Sequence, residues 1–77
     1  MSDYEIGVYN KHVRETIRNG DDWDEEQSGI SKDFENVLYF PIRNASSILE
    51  VEERSARSFP SSQGYVIDYI RLVGRTE

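Results

Sequence analysis

The densest group of ionisable side chains in this 77-residue chain is acidic. Five carboxylates surround the only tryptophan in what we call the acidic run, which comprises Asp21, Asp22, Trp23, Asp24, Glu25 and Glu26. Carboxylates this close together repel one another, so we expect the run to remain in solvent. There it could ligate a cation, imitate a nucleic-acid backbone or attract a basic protein surface.

The spacing supports a calcium loop only in part. In a frame that begins at Asp24, Gly29 falls at position 6 and Glu35 at position 12, as an EF-hand requires. Position 8, which is normally aliphatic, holds Ser31, and position 9 holds the cationic Lys32. We therefore predict no metal site, and no other set of residues indicates a cofactor.

Protein binding is the interpretation that the acidic run favours. Trp23 is predicted to anchor in a pocket of the partner, while the carboxylates steer a basic protein surface toward it. In the alternative, Trp23 packs on the domain's own core and the carboxylates are merely solvated. The run could also imitate the phosphates of DNA or RNA, as small acidic inhibitors from phages do. The chain would then block a host DNA- or RNA-binding protein.

Direct RNA binding would depend on arginines and tyrosines instead. Tyrosines that stack on bases, with basic side chains beside them, are typical of RNA-binding sheets. The candidates are Lys11, Arg14, Arg18, Arg54, Arg57, Arg71 and Arg75, with Tyr4, Tyr9, Tyr39, Tyr65 and Tyr69. No RNP motif is present, and a net charge of −6 argues against a nucleic-acid binder. Ion pairs between the arginines and the acidic run are the simpler interpretation.

Enzymatic chemistry has little support. The chain has no cysteine, and its only histidine, His12, has no evident partner. The serines are typical of helix caps and turns, and no base accompanies them. The glycines form neither a P-loop nor a dinucleotide-binding fingerprint. We therefore predict a protein that is not an enzyme.

One segment carries the whole negative charge. Residues 21–35 hold seven acidic residues and one lysine, whereas residues 1–20 and 36–77 are each neutral. No apolar run is long enough to span a membrane, and the first residues lack the pattern of a signal peptide. We therefore expect a cytoplasmic protein with a single domain and a marginal core.

The first half of the chain predicts a strand, a helix and a loop. Residues 4–9 alternate between apolar and other side chains, which is typical of a strand. Asn10 and Gly20 fit the two ends of a helix over about 11–19. Residues 20–33 have no period and many turn formers, so a long surface loop is expected there.

The second half predicts a strand and a second helix. Residues 34–43 have the strongest strand pattern, and Pro41 requires a sheet edge or a bulge. Ser47 and Glu50 fit a capping box before a helix that ends near Ser58, with Glu52 half-buried. A strand over 48–54 is the alternative.

Residues 65–73 are β-branched and aromatic on both faces, which favours the central position in a sheet. Gly74 is expected to end this strand, with a frayed C-terminus from about 74. The elements predict an α+β fold in the order β-α-loop-β-α-β, in which a three-stranded, mainly antiparallel sheet packs against two helices. Such a sheet has open edges, so a homodimer formed by edge pairing is a further expectation.

Overall fold

A three-stranded antiparallel sheet forms the framework of the protein, as the sequence predicts. The structure is a computed structural model that describes residues 1–75, without the side chain of Arg75. The strands are β1 (Ser2–Asn10), β2 (Leu38–Ala45) and β3 (Tyr65–Arg75). The α-helices are α1 (Lys11–Arg18), α2 (Glu25–Ser28) and α3 (Ile48–Ser58), and two 3-10 turns cover Lys32–Glu35 and Ser61–Gln63. Within the described residues no helix is long and apolar enough to cross a membrane.

The central strand is β1, so the prediction that the C-terminal strand lies in the middle is wrong. Ile6 of β1 lies opposite Phe40 of β2 on one side and opposite Ile70 of β3 on the other. Ile6 and Val8 are fully buried, whereas the end of β3 leaves Leu72 exposed. Composition favoured β3 because β3 is apolar on both faces, but the core helix α3 packs on only one face of this sheet.

Gly7 is what allows β1 to lie between its two neighbours. Tyr39 of β2 and Tyr69 of β3 are both register partners of Gly7, and their rings lie 5.9 Å apart. A Cβ atom on Gly7 would lie 2.5 Å from Cε1 of Tyr69 and 2.8 Å from Cγ1 of Val37. The edge strands therefore contact each other across the central strand through a space that only glycine leaves.

Both edge strands are irregular. Pro41 lies in β2, at the edge that its missing N–H group requires. In β3, Asp68 and Val73 are each skipped in the register with β1, which marks two bulges. Proline and bulges are devices that prevent a strand edge from pairing with another chain. Pro41 and the bulges therefore interrupt the two edge strands, and the edge-paired homodimer stays a prediction.

The core lies between one face of the sheet and α3. The buried cluster consists of Ile6, Val8, Ile42, Ala45 and Val51. Phe34, Phe40, Phe59 and Tyr65 extend it toward the C-terminal end of α3, with ring centroids 4.8 to 6.1 Å apart. Aromatic side chains thus supply much of the buried surface of a domain whose aliphatic core is small.

Helix α3 confirms the predicted helix and excludes the alternative strand. The Ser47 hydroxyl accepts a hydrogen bond from the Glu50 N–H group, and the Glu50 carboxylate accepts one from the Ser46 N–H group at 3.2 Å. Val51 and Ser55 face the core, since both are fully buried. Glu52 is exposed, contrary to the prediction, because the buried stripe of α3 is only one residue wide.

Two strand boundaries differ from the prediction. Strand β2 begins at Leu38 rather than at residue 34, because Phe34 lies in a 3-10 turn and packs on Phe59 and Tyr65. Strand β3 continues through Gly74 to Arg75, where it still pairs with β1, so the predicted end at Gly74 is wrong. The rest of the predicted frayed terminus, residues 76–77, lies outside the described residues.

The buried side chain of Asn10 joins three segments, which we call the Asn10 junction. Its Oδ1 atom accepts hydrogen bonds from the N–H groups of His12 and Val13 at 2.9 and 3.2 Å, and so caps α1 as predicted. Its Nδ2 atom donates to the Gln63 carbonyl at 3.0 Å. The adjacent Lys11 N–H group donates to the Gly64 carbonyl at 2.8 Å. The end of β1, the start of α1 and the turn before β3 are therefore held together.

Replacing Gly7 with alanine should destabilise the domain by about 1–3 kcal/mol, because the added methyl group overpacks the space against Tyr69 and Val37. Gly74→Ala is the matched control, since nothing lies within 4 Å of a Cβ atom at that position. Urea unfolding measures both variants. Equal stabilities for the two variants would show that Gly7 is not under a packing constraint.

Replacing Asn10 with alanine should cost about 2–4 kcal/mol, because buried donors and acceptors lose their partners in addition to the helix cap. Ser47→Ala removes only an exposed cap and should cost about 1 kcal/mol. Thermal and urea unfolding of the two variants test this order. A smaller loss for Asn10→Ala than for Ser47→Ala would contradict the role given to the junction.

Candidate functional site

The acidic run lies in a segment that is more ordered than the predicted loop over 20–33. Asp24 caps the single turn of α2, because its Oδ1 atom accepts a hydrogen bond from the Gln27 N–H group at 3.0 Å. Gly29 ends this turn with a left-handed backbone, at φ 72°. The pair Asp24 and Gln27, followed by Gly29, is a sequence signal for a short helix, although four helical residues show no periodicity.

Trp23 is half-buried and holds its own loop closed. Its Nε1–H group donates to the Ile30 carbonyl at 2.8 Å, and the Ile30 side chain is buried. Ser28 supports the same turn, because its hydroxyl accepts from the Ile30 N–H group at 3.2 Å. Trp23 therefore has an internal partner, which no sequence pattern identifies because a backbone carbonyl has no sequence signature.

The carboxylates of the run divide into two kinds. Asp24 caps α2, and the Oε2 atom of Glu25 accepts a hydrogen bond from the Lys32 N–H group at 3.1 Å. The carboxylates of Asp21, Asp22 and Glu26 are exposed and have no hydrogen bond or ion pair within residues 1–75. Two carboxylates thus organise the loop, and three present unneutralised charge to solvent.

The arginines do not neutralise the run, so the predicted ion pairs with it are not formed among the described residues. Arg14 lies 3.7 Å from the centroid of the Tyr9 ring and donates to the Glu35 carbonyl at 3.0 Å. Two other arginines pair with glutamates of the sheet and of α3: Arg71 with Glu5 at 3.0 Å and Arg54 with Glu50 at 3.6 Å. The negative charge of the run therefore remains uncompensated.

The tyrosines do not form a single stacking surface. Tyr65 packs against Phe34 and Phe59, and Tyr4 also contacts the core. Tyr39 and Tyr69 lie on the opposite face of the sheet. The Tyr69 hydroxyl donates to Glu5 at 3.0 Å, and partial burial together with this carboxylate raises the pKa of Tyr69 above its usual value. The residues proposed for RNA binding are thus divided between two faces.

The residues considered for metal binding and for acid–base chemistry lie apart. No group of three or more His, Cys, Asp or Glu side chains within residues 1–75 is arranged to hold a metal ion. In the calcium frame, Asp24 and Glu25 accept hydrogen bonds from backbone N–H groups of their own loop. His12 is exposed at the start of α1. What the segment presents is charge beside an aromatic ring.

Replacing Trp23 with phenylalanine keeps the ring but removes the hydrogen bond to Ile30. Since such a bond contributes about 0.5–1.5 kcal/mol, amide exchange at Gly29, in the same turn, should become about two- to tenfold faster. The Asn19 amide, which bonds to Glu15 in α1, is the internal control. Unchanged exchange at Gly29 would show that Trp23 does not hold the loop.

No family model, no curated protein and no solved structure matches the chain. A function must therefore be argued from the geometry of the site itself.

Proposed function

We propose that the protein is a non-enzymatic protein-interaction module of the cytoplasm, which binds a basic protein surface through the acidic run. The observation that carries the proposal is the state of Asp21, Asp22 and Glu26. These three carboxylates are exposed and have no partner within the described residues, and the half-buried Trp23 lies next to them in the sequence.

The electrostatics of the run favour a cationic partner. Three carboxylates close in sequence repel one another, and Arg14, Arg54 and Arg71 contact other groups. Lysine or arginine side chains of a partner would relieve this repulsion. The same charges attract a basic surface over a distance of about 8–10 Å at physiological salt, which raises the association rate more than the lifetime of the complex.

The internal hydrogen bond of Trp23 supports this use of the loop. A loop that is ordered before binding loses less conformational entropy when the complex forms. The bond from Trp23 to Ile30 and the cap from Asp24 to Gln27 provide such order. Trp23, which is half-buried, then adds apolar contact with the partner. The same residue would thus order the loop and contact the partner.

Charge reversal of Asp21 and Asp22 to lysine should lower the association rate with the basic partner about tenfold or more at low salt, because the steering charge is lost. The matched control is Glu52→Lys with Glu53→Lys, another adjacent pair of exposed acids, on α3. Trp23→Ala should instead raise the dissociation rate.

Partners are first captured from the cells that produce the protein, and the kinetics are then measured by surface plasmon resonance.

Two results would decide against the proposal. If the loop variant and the α3 variant retain the same partners with the same kinetics, charge in the run is not what binds. If duplex DNA or RNA competes with the protein for the partner's site, the partner is a nucleic-acid-binding protein and the run imitates phosphates, as in a phage-type inhibitor. Absence of competition supports a basic surface that recognises proteins.

A further inference from the structure

The sheet has one face that α3 does not cover, which we call the open face. It carries the side chains that alternate with Ile6 and Val8 and with their register partners. Tyr39, Pro41 and Arg43 from β2 lie there beside Asp3 and Glu5 from β1, and with Val73 they line a groove of about 250 Å³. This surface is continuous over all three strands.

The open face carries exposed apolar side chains together with charges of both signs. Tyr39 is 62% exposed and Val73 is 60% exposed. Asp3 and Glu5 are balanced by Arg43 and Arg71, and the Arg71 guanidinium lies 3.0 Å from the Glu5 carboxylate. Large exposed apolar side chains among opposite charges are what a self-complementary contact needs, because each copy then offers both signs.

The molecule also buries less surface than is usual for its size. Its accessible surface is 5360 Å², whereas a folded monomer of 9.0 kDa has about 4,850 Å². Its radius of gyration is 14.0 Å, against about 11.5 Å for a compact chain of this length. Both values are those of an elongated molecule, whose extents are 47, 18 and 17 Å.

We propose that the open face binds a second copy of this chain, in a two-fold symmetric dimer with the two sheets face to face. Tyr39 and Val73 of each copy form the apolar centre, and Arg43 of each copy meets the acidic side chains of β1 in the other. The contact uses sheet faces, because Pro41 and the bulges at Asp68 and Val73 interrupt the edges.

The test is sedimentation equilibrium of the full chain from about 10 to about 500 µM, the range in which small interfaces associate. The wild type should shift from monomer to dimer. Tyr39→Ser and Arg43→Glu should each weaken the dimer about tenfold or more, the first by removing the apolar centre and the second by making the face acidic. Leu49→Ser is the matched control, because Leu49 is 64% exposed on α3.

Each outcome bears on the proposal. A wild type that stays monomeric at the highest concentration overturns it, and so does a dimer weakened by Leu49→Ser but not by Tyr39→Ser. A dimer that survives Arg43→Glu and Tyr39→Ser together also overturns it, since another surface must then associate. Circular dichroism of each variant ensures that a lost dimer is not a lost fold. Because the acidic run is unchanged in these variants, partner binding through that run is tested separately.

Discussion

The Asn10 junction is the interaction on which the rest of the structure depends. A single buried amide ends the central strand, starts α1 and holds the turn that leads into β3. Both edge strands pair with β1, so the position of that strand determines the sheet, and the junction determines where the strand stops. A buried polar group is costly unless its hydrogen bonds are complete, which is why such a group specifies one arrangement of the chain.

The acidic run and the open face lie at different places because of this arrangement. The chain leaves β1 at Asn10, passes through α1 and reaches the run, and it returns to the sheet at β2. The groove of the open face is instead lined by residues of the three strands, among them Asp3, Tyr39 and Val73. The acidic run thus belongs to the segment between α1 and β2, and the groove belongs to the sheet. The two proposals therefore assign a basic partner to the run and a second copy of the chain to the groove.

Local signals in the sequence predicted elements well where one residue acts on its neighbours. The caps of α1 and α3 were predicted because Asn10 and Ser47 bond to N–H groups two or three residues away. The exposure of Asp21 and Asp22 followed from charge repulsion alone. The turn at Glu25–Ser28 was missed because four residues show no period. The prediction that Glu52 is half-buried was wrong, because the width of the buried stripe on a helix depends on what the helix packs against.

The sequence by itself determined the α+β class, the positions of α1 and α3, the edge position of Pro41 and the confinement of charge to one segment. These depend on backbone geometry, capping and composition, which act over a few residues. Only the tertiary structure decided that β1 is central, that Trp23 bonds to Ile30 and that Tyr39 meets Tyr69 over Gly7. Each of these joins residues through space, and the free energy of such a contact depends on partners that no local pattern identifies.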